Sequence, residues 1–215
     1  PGNDLSGMLR GTAGSRGRLD VEGKISIPLG KDVLAIKIAA ASKNQDGYVT
    51  RPDGTDLGDT NVRVGRVALA WNPSTDVKVD LSLDGTRIRQ NGSPQRLSNT
   101  FSAPGGLYDL YNMLAAPYIV ARDGLPTGAI FDNTWVSSNL RRSNGTGPTG
   151  DDADVWGTNL SIAWKASDLL TIKSITGYRE MDAKIKVDMD QSPFPIVHTD
   201  EVQSESQLSQ EFQFS

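Results

Sequence analysis

Cysteine is absent from this chain, and histidine occurs once, as His198. The first absence excludes a disulfide scaffold and thiolate metal sites. The second limits catalysis: a Ser-His-Asp arrangement would have to use His198, and no G-x-S-x-G stretch accompanies it. His198 reads as a solvated loop residue, and no enzyme activity is expected. Basic charge is also in short supply. Lys and Arg total 22 against 26 Asp and Glu, for a net charge of −4, which argues against a nucleic-acid partner. No apolar run approaches the ~20 residues of a membrane helix, and the longest, "AAPYIVA", is broken by Pro117. Helical spans are therefore excluded, but β-barrels are not, because each of their strands carries a far weaker hydropathy signal. The chain opens "PGNDLSGMLR", without an initiator Met or a signal-peptide pattern. It reads as mature or as cut from something larger.

What the sequence does have is alternation. Leu19, Val21, Ile25, Ile27 and Leu29 share one parity, with Asp20, Glu22, Lys24 and Ser26 on the other. Leu34, Ile36 and Ile38 alternate with Ala35 and Lys37, and Val67, Leu69 and Trp71 with small or polar residues. Val77, Val79, Leu81 and Leu83 alternate with Lys78, Asp80, Ser82 and Asp84. The pattern returns at Leu160, Ile162 and Trp164, at Leu170 to Tyr178, and at Leu208, Phe212 and Phe214. With one more strand over residues 6–14, about eight strands are expected, each near the ~9–11 residues that cross a bilayer at a tilt.

The connections alternate too. Short turns fall at Gly30–Asp32, Asn72–Asp76 and Lys165–Asp168, whereas Lys43–Asn61, Arg89–Val155 and Ala183–Gln203 are long and rich in Gly, Asn, Asp and Pro. A membrane barrel has short periplasmic turns and long external loops. Trp71 and Trp164 stand on the apolar parity just before short turns, as interfacial aromatics do. Tyr178 is the candidate for the opposite girdle, with Trp156 and Tyr48 beside it. Apolar parity facing lipid would leave Asp20, Glu22, Lys24, Lys37, Lys78, Asp80, Asp84 and Lys173 lining a polar interior. A soluble sandwich would bury the same apolar parity against a second sheet, so alternation alone leaves both open. Within the longest loop, Leu107, Leu110, Tyr111 and Leu114 at i, i+3, i+4 and i+7 predict a short amphipathic helix ending before Pro117. It is expected to pack the loop against itself.

The clusters "DGTDLGD", "GDDAD" and "DMDQSP" miss the D-x-[DN]-x-[DN]-G calcium loop. They read as solvated loop acids, and neither a metal nor a cofactor is expected. Ligand contacts would fall to loop aromatics and arginines: Tyr48, Arg51, Arg87, Arg89, Tyr108, Tyr111 and Arg179. An arginine there can clamp an anion in a bidentate way.

The ordered stretches "LRGTAGSRGRLDVEGKISIPLGKDVLAIKIAAASKNQDGYV", "VGRVALAWNPSTDVKVDLSLD", "LLTIKSITGYRE" and "SQEFQFS" resemble the barrel of TonB-dependent outer-membrane receptors. The resemblance covers nearly the whole chain and implies an all-β, antiparallel up-and-down sheet, residues 1–215 forming part of a transmembrane barrel. It also implies outer-membrane lipid and the TonB complex as partners. The implied activity is energised import of a scarce small-molecule nutrient, such as a siderophore-iron complex, cobalamin or a carbohydrate. Neither a plug domain nor a TonB box is visible, and eight strands fall short of a barrel of ~22. The resemblance therefore implies the N-terminal part of the barrel. Two alternatives stand beside it: a soluble all-β binding module, and a complete small eight-stranded outer-membrane barrel.

Overall fold

The computed structural model describes residues 4–101, 103–119, 121 and 125–215. Its main element is one eight-stranded antiparallel sheet in which every strand pairs with its chain neighbours. The strands are β1 (Ser6–Ala13), β2 (Leu19–Gly30), β3 (Leu34–Gln45), β6 (Thr60–Trp71), β7 (Val77–Gln90), β8 (Gly150–Ser167), β9 (Leu170–Asp188) and β10 (His198–Phe214). A separate two-stranded piece, β4 (Val49–Thr50) with β5 (Asp56–Leu57), sits in the loop between β3 and β6. Helix α1 spans Leu107–Leu114 in the longest loop, as its spacing predicts. The sheet is open, with β1 and β10 as unpaired edges.

Local chemistry explains the tight connections. Arg16 and Gly17 both take positive φ in the β1–β2 turn, and Asp32 does so between β2 and β3. Asn72 links two neighbouring turns. Its backbone N–H donates to the Val33 carbonyl at 2.7 Å and its side-chain amide to the Asp32 carbonyl at 2.8 Å.

Four expectations about strand and loop limits need correcting. The longest loop covers residues 91–149 rather than 89–155, because β7 reaches Gln90 and β8 begins at Gly150. The stretch 183–203 is not one long loop: β9 runs to Asp188, β10 starts at His198, and only residues 189–197 connect them. Cross-strand pairing continues there through Lys184 with Val202 and Lys186 with Asp200. The β8–β9 turn is also tighter than 165–168, because β8 continues to Ser167 past a register irregularity. Strands β7 to β10 run to 14–19 residues, longer than a bilayer requires, so their upper parts stand beyond it in the barrel reading.

Among the described residues the sheet has no second layer. Leu81, Ile162 and Phe212 remain 44%, 38% and 61% exposed, which removes the packing that a sandwich needs. The compact apolar cluster lies instead among the long loops. It is built on buried Leu125, Phe131 and Phe194, with Tyr108, Tyr111, Trp135 and Ile196 packed around.

Candidate functional site

Register decides which side chains share a face, since pairing preserves sidedness across a sheet. On one face, Ile36, Leu69, Leu81 and Leu160 lie in one row and Ile38, Val67 and Leu83 in the next. Trp71, Val79, Ile162 and Phe212 belong to a third row. The opposite face carries Asp20, Glu22, Lys24, Lys37, Lys78, Asp80, Asp84 and Lys173, the set that the alternation assigned to a polar interior.

The apolar face ends in aromatics at both limits. Trp71 and Trp164 stand at the short-turn end, and Trp156 meets Tyr178 at 5.2 Å between ring centroids toward the long-loop end. Trp164 and Trp156 lie eight residues apart on β8. At a rise of ~3.4 Å per residue they are about 27 Å apart along the strand. A tilt of ~40° reduces that to about 21 Å, close to the ~25 Å apolar band of outer-membrane barrels. Beyond Trp156 the same face turns charged, with Arg63 opposite Arg87 and Arg87 opposite Asp154.

The polar face is grooved. A depression of about 320 Å³ is lined by Lys37, Arg66, Asp80, Ser82 and Asn159. A second, of about 230 Å³, includes Asp84, Arg179, Gln207 and Ser209. Arg179 on β9 reaches over β8 to donate to Asp84 on β7 at 2.9 Å. It passes above Gly157, where a Cβ would lie 3.2 Å from the guanidinium. Glycine at 157 is what lets the arginine lie flat across a strand.

The long loops are knotted together rather than free. Arg51, just after β4, is buried, and its guanidinium donates to the Gly145 carbonyl at 3.0 Å, to the Thr149 hydroxyl at 2.7 Å and to the Gly147 carbonyl. Asp188 at the end of β9 lies 3.9 Å from the same guanidinium and accepts from the Gly147 N–H at 2.9 Å and the Gln191 N–H at 3.1 Å. Asp190 is likewise buried and caps its own loop, accepting from Ser192, Ile196 and Val197 N–H groups. His198 Nε2 stands 3.8 Å from Asp188 and 3.9 Å from Asp190. Burial, then the charge of Asp190, raises the Asp188 carboxyl above its ordinary range, against the bonds from Gly147 and Gln191. Asp59 is also raised by burial, whereas at Asp53 burial, the largest single influence, is outweighed by the hydrogen bonds from Thr55 together with the Arg51 charge, which hold it low.

This arrangement corrects the reading of "DMDQSP" as solvated acids: Asp188 and Asp190 are fully buried. His198 is exposed, as expected, but opens β10 rather than lying in a loop, and it stands beside them. One ligand atom from each of the three lies within 4.8 Å of the others. The carboxylates, however, already accept N–H bonds from the loops they fasten, so the cluster is built as a fastener.

The residues expected to contact ligand do not converge on one pocket. Arg51 is consumed by the knot. Tyr108 stacks on Phe131 at 4.5 Å, and Tyr111 meets Phe194 edge-on at 5.9 Å. Tyr48 lies under the Arg16 guanidinium at 5.1 Å. Arg89 bonds Asp154 and the Ala153 carbonyl, and Arg87 approaches Asp154 at 3.4 Å. Arg179 alone lines a polar-face depression. Sequence reasoning missed Asp188, Asp190, Gln191 and Phe194. The one available signal was the unusual density of turn formers around an isolated aromatic in "DQSPFP".

No family model matches the chain, and no curated protein matches it. Its fold does match solved structures. The ferric yersiniabactin uptake receptor FyuA from Yersinia pestis matches over 99% of this chain and 28% of its own, at 15% identity and a TM-score of 0.67. The ferric-catecholate import receptor Fiu from E. coli K12 matches over 98% of this chain and 27% of its own, at 12% identity and a TM-score of 0.56. The chain thus spans little more than a quarter of either receptor's length. The sheet has the fold of part of an outer-membrane receptor barrel. No catalytic motif or cofactor site is evident among the described residues.

Proposed function

We propose that this chain forms the early strands of a TonB-dependent outer-membrane receptor barrel. In this reading its apolar face meets lipid and its charged face lines the lumen. The whole protein imports a scarce nutrient with energy relayed by the TonB complex through a plug. The observation that carries the reading is the sheet's two-sidedness. An apolar face bounded by aromatics lies uncovered over about 27 Å of strand, while the other face holds the charged residues that alternate with it, among them Asp20, Glu22, Lys37, Asp80 and Asp84. The fold likeness to two iron-uptake receptors supports the same conclusion, and the two open edges support pairing with further strands, since lipid does not tolerate an unpaired edge.

Ligand capture belongs to the loop end. The knot around Arg51 and Asp188 holds three loops as one crown, and Tyr48 and Arg179, which take no part in it, are the contacts left for a ligand. The test is growth of a host on ferric siderophores, cobalamin or oligosaccharides as sole source, with and without the intact protein and with and without a working TonB complex. Uptake of one nutrient requiring both supports the reading. Recovery of the protein in the water-soluble fraction overturns it.

A further inference from the structure

The loop end holds a pocket that the Arg51 knot leaves open. Strands β3 and β6 stop there, with Asn44 paired to Asn61 and Gln45 to Thr60, so both faces of the wall reach one rim. The β1–β2 turn closes one side, the β4–β5 hairpin another, and Asn91, just past β7, a third. The cavity is about 450 Å³, within the ~300–1,000 Å³ of small-molecule sites. Two glycines shape it. A Cβ at Gly17 would lie 2.5 Å from Asp46 Oδ2, and one at Gly47 would lie 2.5 Å from the Asp56 backbone.

Its walls are fixed by their own hydrogen bonds. The Asn91 N–H donates to Asp59 Oδ1 at 2.7 Å, and the Asn91 amide donates to the Asp56 carbonyl at 3.0 Å. The Gln90 amide donates to the Asp59 carbonyl at 2.9 Å, and the Asp46 N–H to the Arg16 carbonyl at 2.9 Å. The side chains of Asp46 and Asn61 line the cavity, yet they make no hydrogen bond or ion pair among the described residues.

The lining selects a chemistry. Asp46, Asp56 and Asp59 contribute carboxylates, Asn44, Asn61 and Asn91 contribute carboxamides, and no Lys or Arg among the described residues lines the pocket. An anion would meet three carboxylates with no guanidinium or ammonium to hold it. A metal ion does not fit either, since it needs several oxygens converging on one point. Among the described residues only Asp188, Asp190 and His198 bring three ligand atoms within 4.8 Å of one another. An organic cation would use the carboxylates and leave the amide N–H groups idle. Sugar hydroxyls use both, because each donates to a carboxylate or amide oxygen and accepts from an amide N–H.

We propose that this pocket binds a neutral, polyhydroxylated ligand, a short oligosaccharide, with Asp46 and Asn61 as its principal hydrogen-bonding contacts. The proposal rests on the reading of this end as the outer mouth of a nutrient receptor, and it gives that receptor a class of cargo.

Titration calorimetry on the intact protein in a sugar-free zwitterionic detergent tests this. Maltotriose, cellotriose and mannotriose are the probes, with citrate and spermidine as charged controls. The expected result is saturable binding of at least one trisaccharide and of neither control. Asp46→Leu should weaken it about tenfold and Asn61→Leu about fivefold, as loss of one charged and one neutral hydrogen bond implies. Asp46→Asn, which keeps the shape and one acceptor, should lose less than Asp46→Leu. Neither side chain is bonded within the protein, so thermal unfolding of all three variants should match the parent's. Binding of no trisaccharide, or equal binding by parent and variants, overturns the proposal. Tighter binding of citrate or spermidine than of every trisaccharide also overturns it, by showing a charge site. A protein that needs detergent but holds no sugar refutes this pocket's assignment alone. One that stays dispersed without detergent refutes the receptor reading, whatever the pocket binds.

Discussion

Arg51→Met should loosen the loop crown without unfolding the sheet. The arginine and its carboxylate neighbour Asp188 have side chains only 3% and 1% exposed, so solvent screening gives little relief. Methionine fills comparable length but leaves the Gly145 and Gly147 carbonyls without a donor and the Thr149 hydroxyl without its partner. It also leaves Asp188 buried beside Asp190 with the nearby cation gone. Each orphaned buried polar group costs ~1–3 kcal/mol, and breaking a buried ion pair costs ~3–5 kcal/mol. These effects overlap at one site, so about 3 kcal/mol is a fair total. That raises the local opening constant about 100-fold. Limited chymotrypsin digestion of the intact protein in detergent, followed at cleavage sites within residues 91–149, reads that opening. Cleavage there should quicken by about two orders of magnitude while the β-strands stay protected. A rate within twofold of the parent protein's would mean the knot holds nothing, and the crown would have to be explained without it.

Other perturbations separate the remaining interactions. Asp188 has its folded carboxyl raised above its ordinary value near 3.8. The folded state therefore binds the proton more tightly, and crown protection should fall as pH rises through the window above 3.8. In Asp188→Asn that slope should vanish in hydrogen-exchange measurements across the range, and an unchanged slope assigns it elsewhere. Phe194→Ala removes the ring against which Tyr111, Phe131 and Trp135 pack. It should cost ~3–5 kcal/mol of crown stability, seen as early loss of near-ultraviolet dichroism; a loss below 1 kcal/mol would count against that core. Gly157→Val forces Arg179 off Asp84 and presses the Tyr178 carbonyl, 3.0 Å from the new Cβ. It should lower thermal stability more than Arg179→Met, because the half-exposed ion pair alone is worth only ~0–1 kcal/mol. The reverse order would show that the ion pair, not the groove over Gly157, matters.

The strands were legible because a two-residue period survives in any sheet with unlike faces. From Leu19 to Leu83 the parity assignments agree with the register except at Leu29, which falls in the irregularity between Pro28 and Gly30, so that Gly30 pairs with Leu34 instead. The β6–β7 turn was legible through Asn72-Pro73, and α1 through the spacing of Leu107 to Leu114. The helix faces, however, did not sort as spacing suggests. Tyr108 and Tyr111 pack inward, whereas Leu107, Leu110 and Leu114 stay exposed, because the loop offers a core built around Phe194 rather than a broad apolar floor. The crown was not legible. Arg51 and Gly145 lie 94 residues apart, and Asp188 gains its role from carbonyls and N–H groups that carry no mark in a sequence. Strand ends were misjudged for a related reason: polar, charged β9 and β10 residues past Tyr178 pair as well as apolar ones once the hairpin has been set.

The most direct test uses the chain's lack of cysteine. Single spin labels can be placed at Leu81→Cys and Leu160→Cys on one face and at Ser82→Cys and Ser161→Cys on the other, in the intact protein in lipid vesicles. The labels replacing the leucines should relax with dissolved oxygen, which concentrates in hydrocarbon, and resist a water-soluble nickel chelate. The labels replacing the serines should do the opposite or be shielded from both. Equal access of the nickel chelate to all four positions would contradict the two-faced wall.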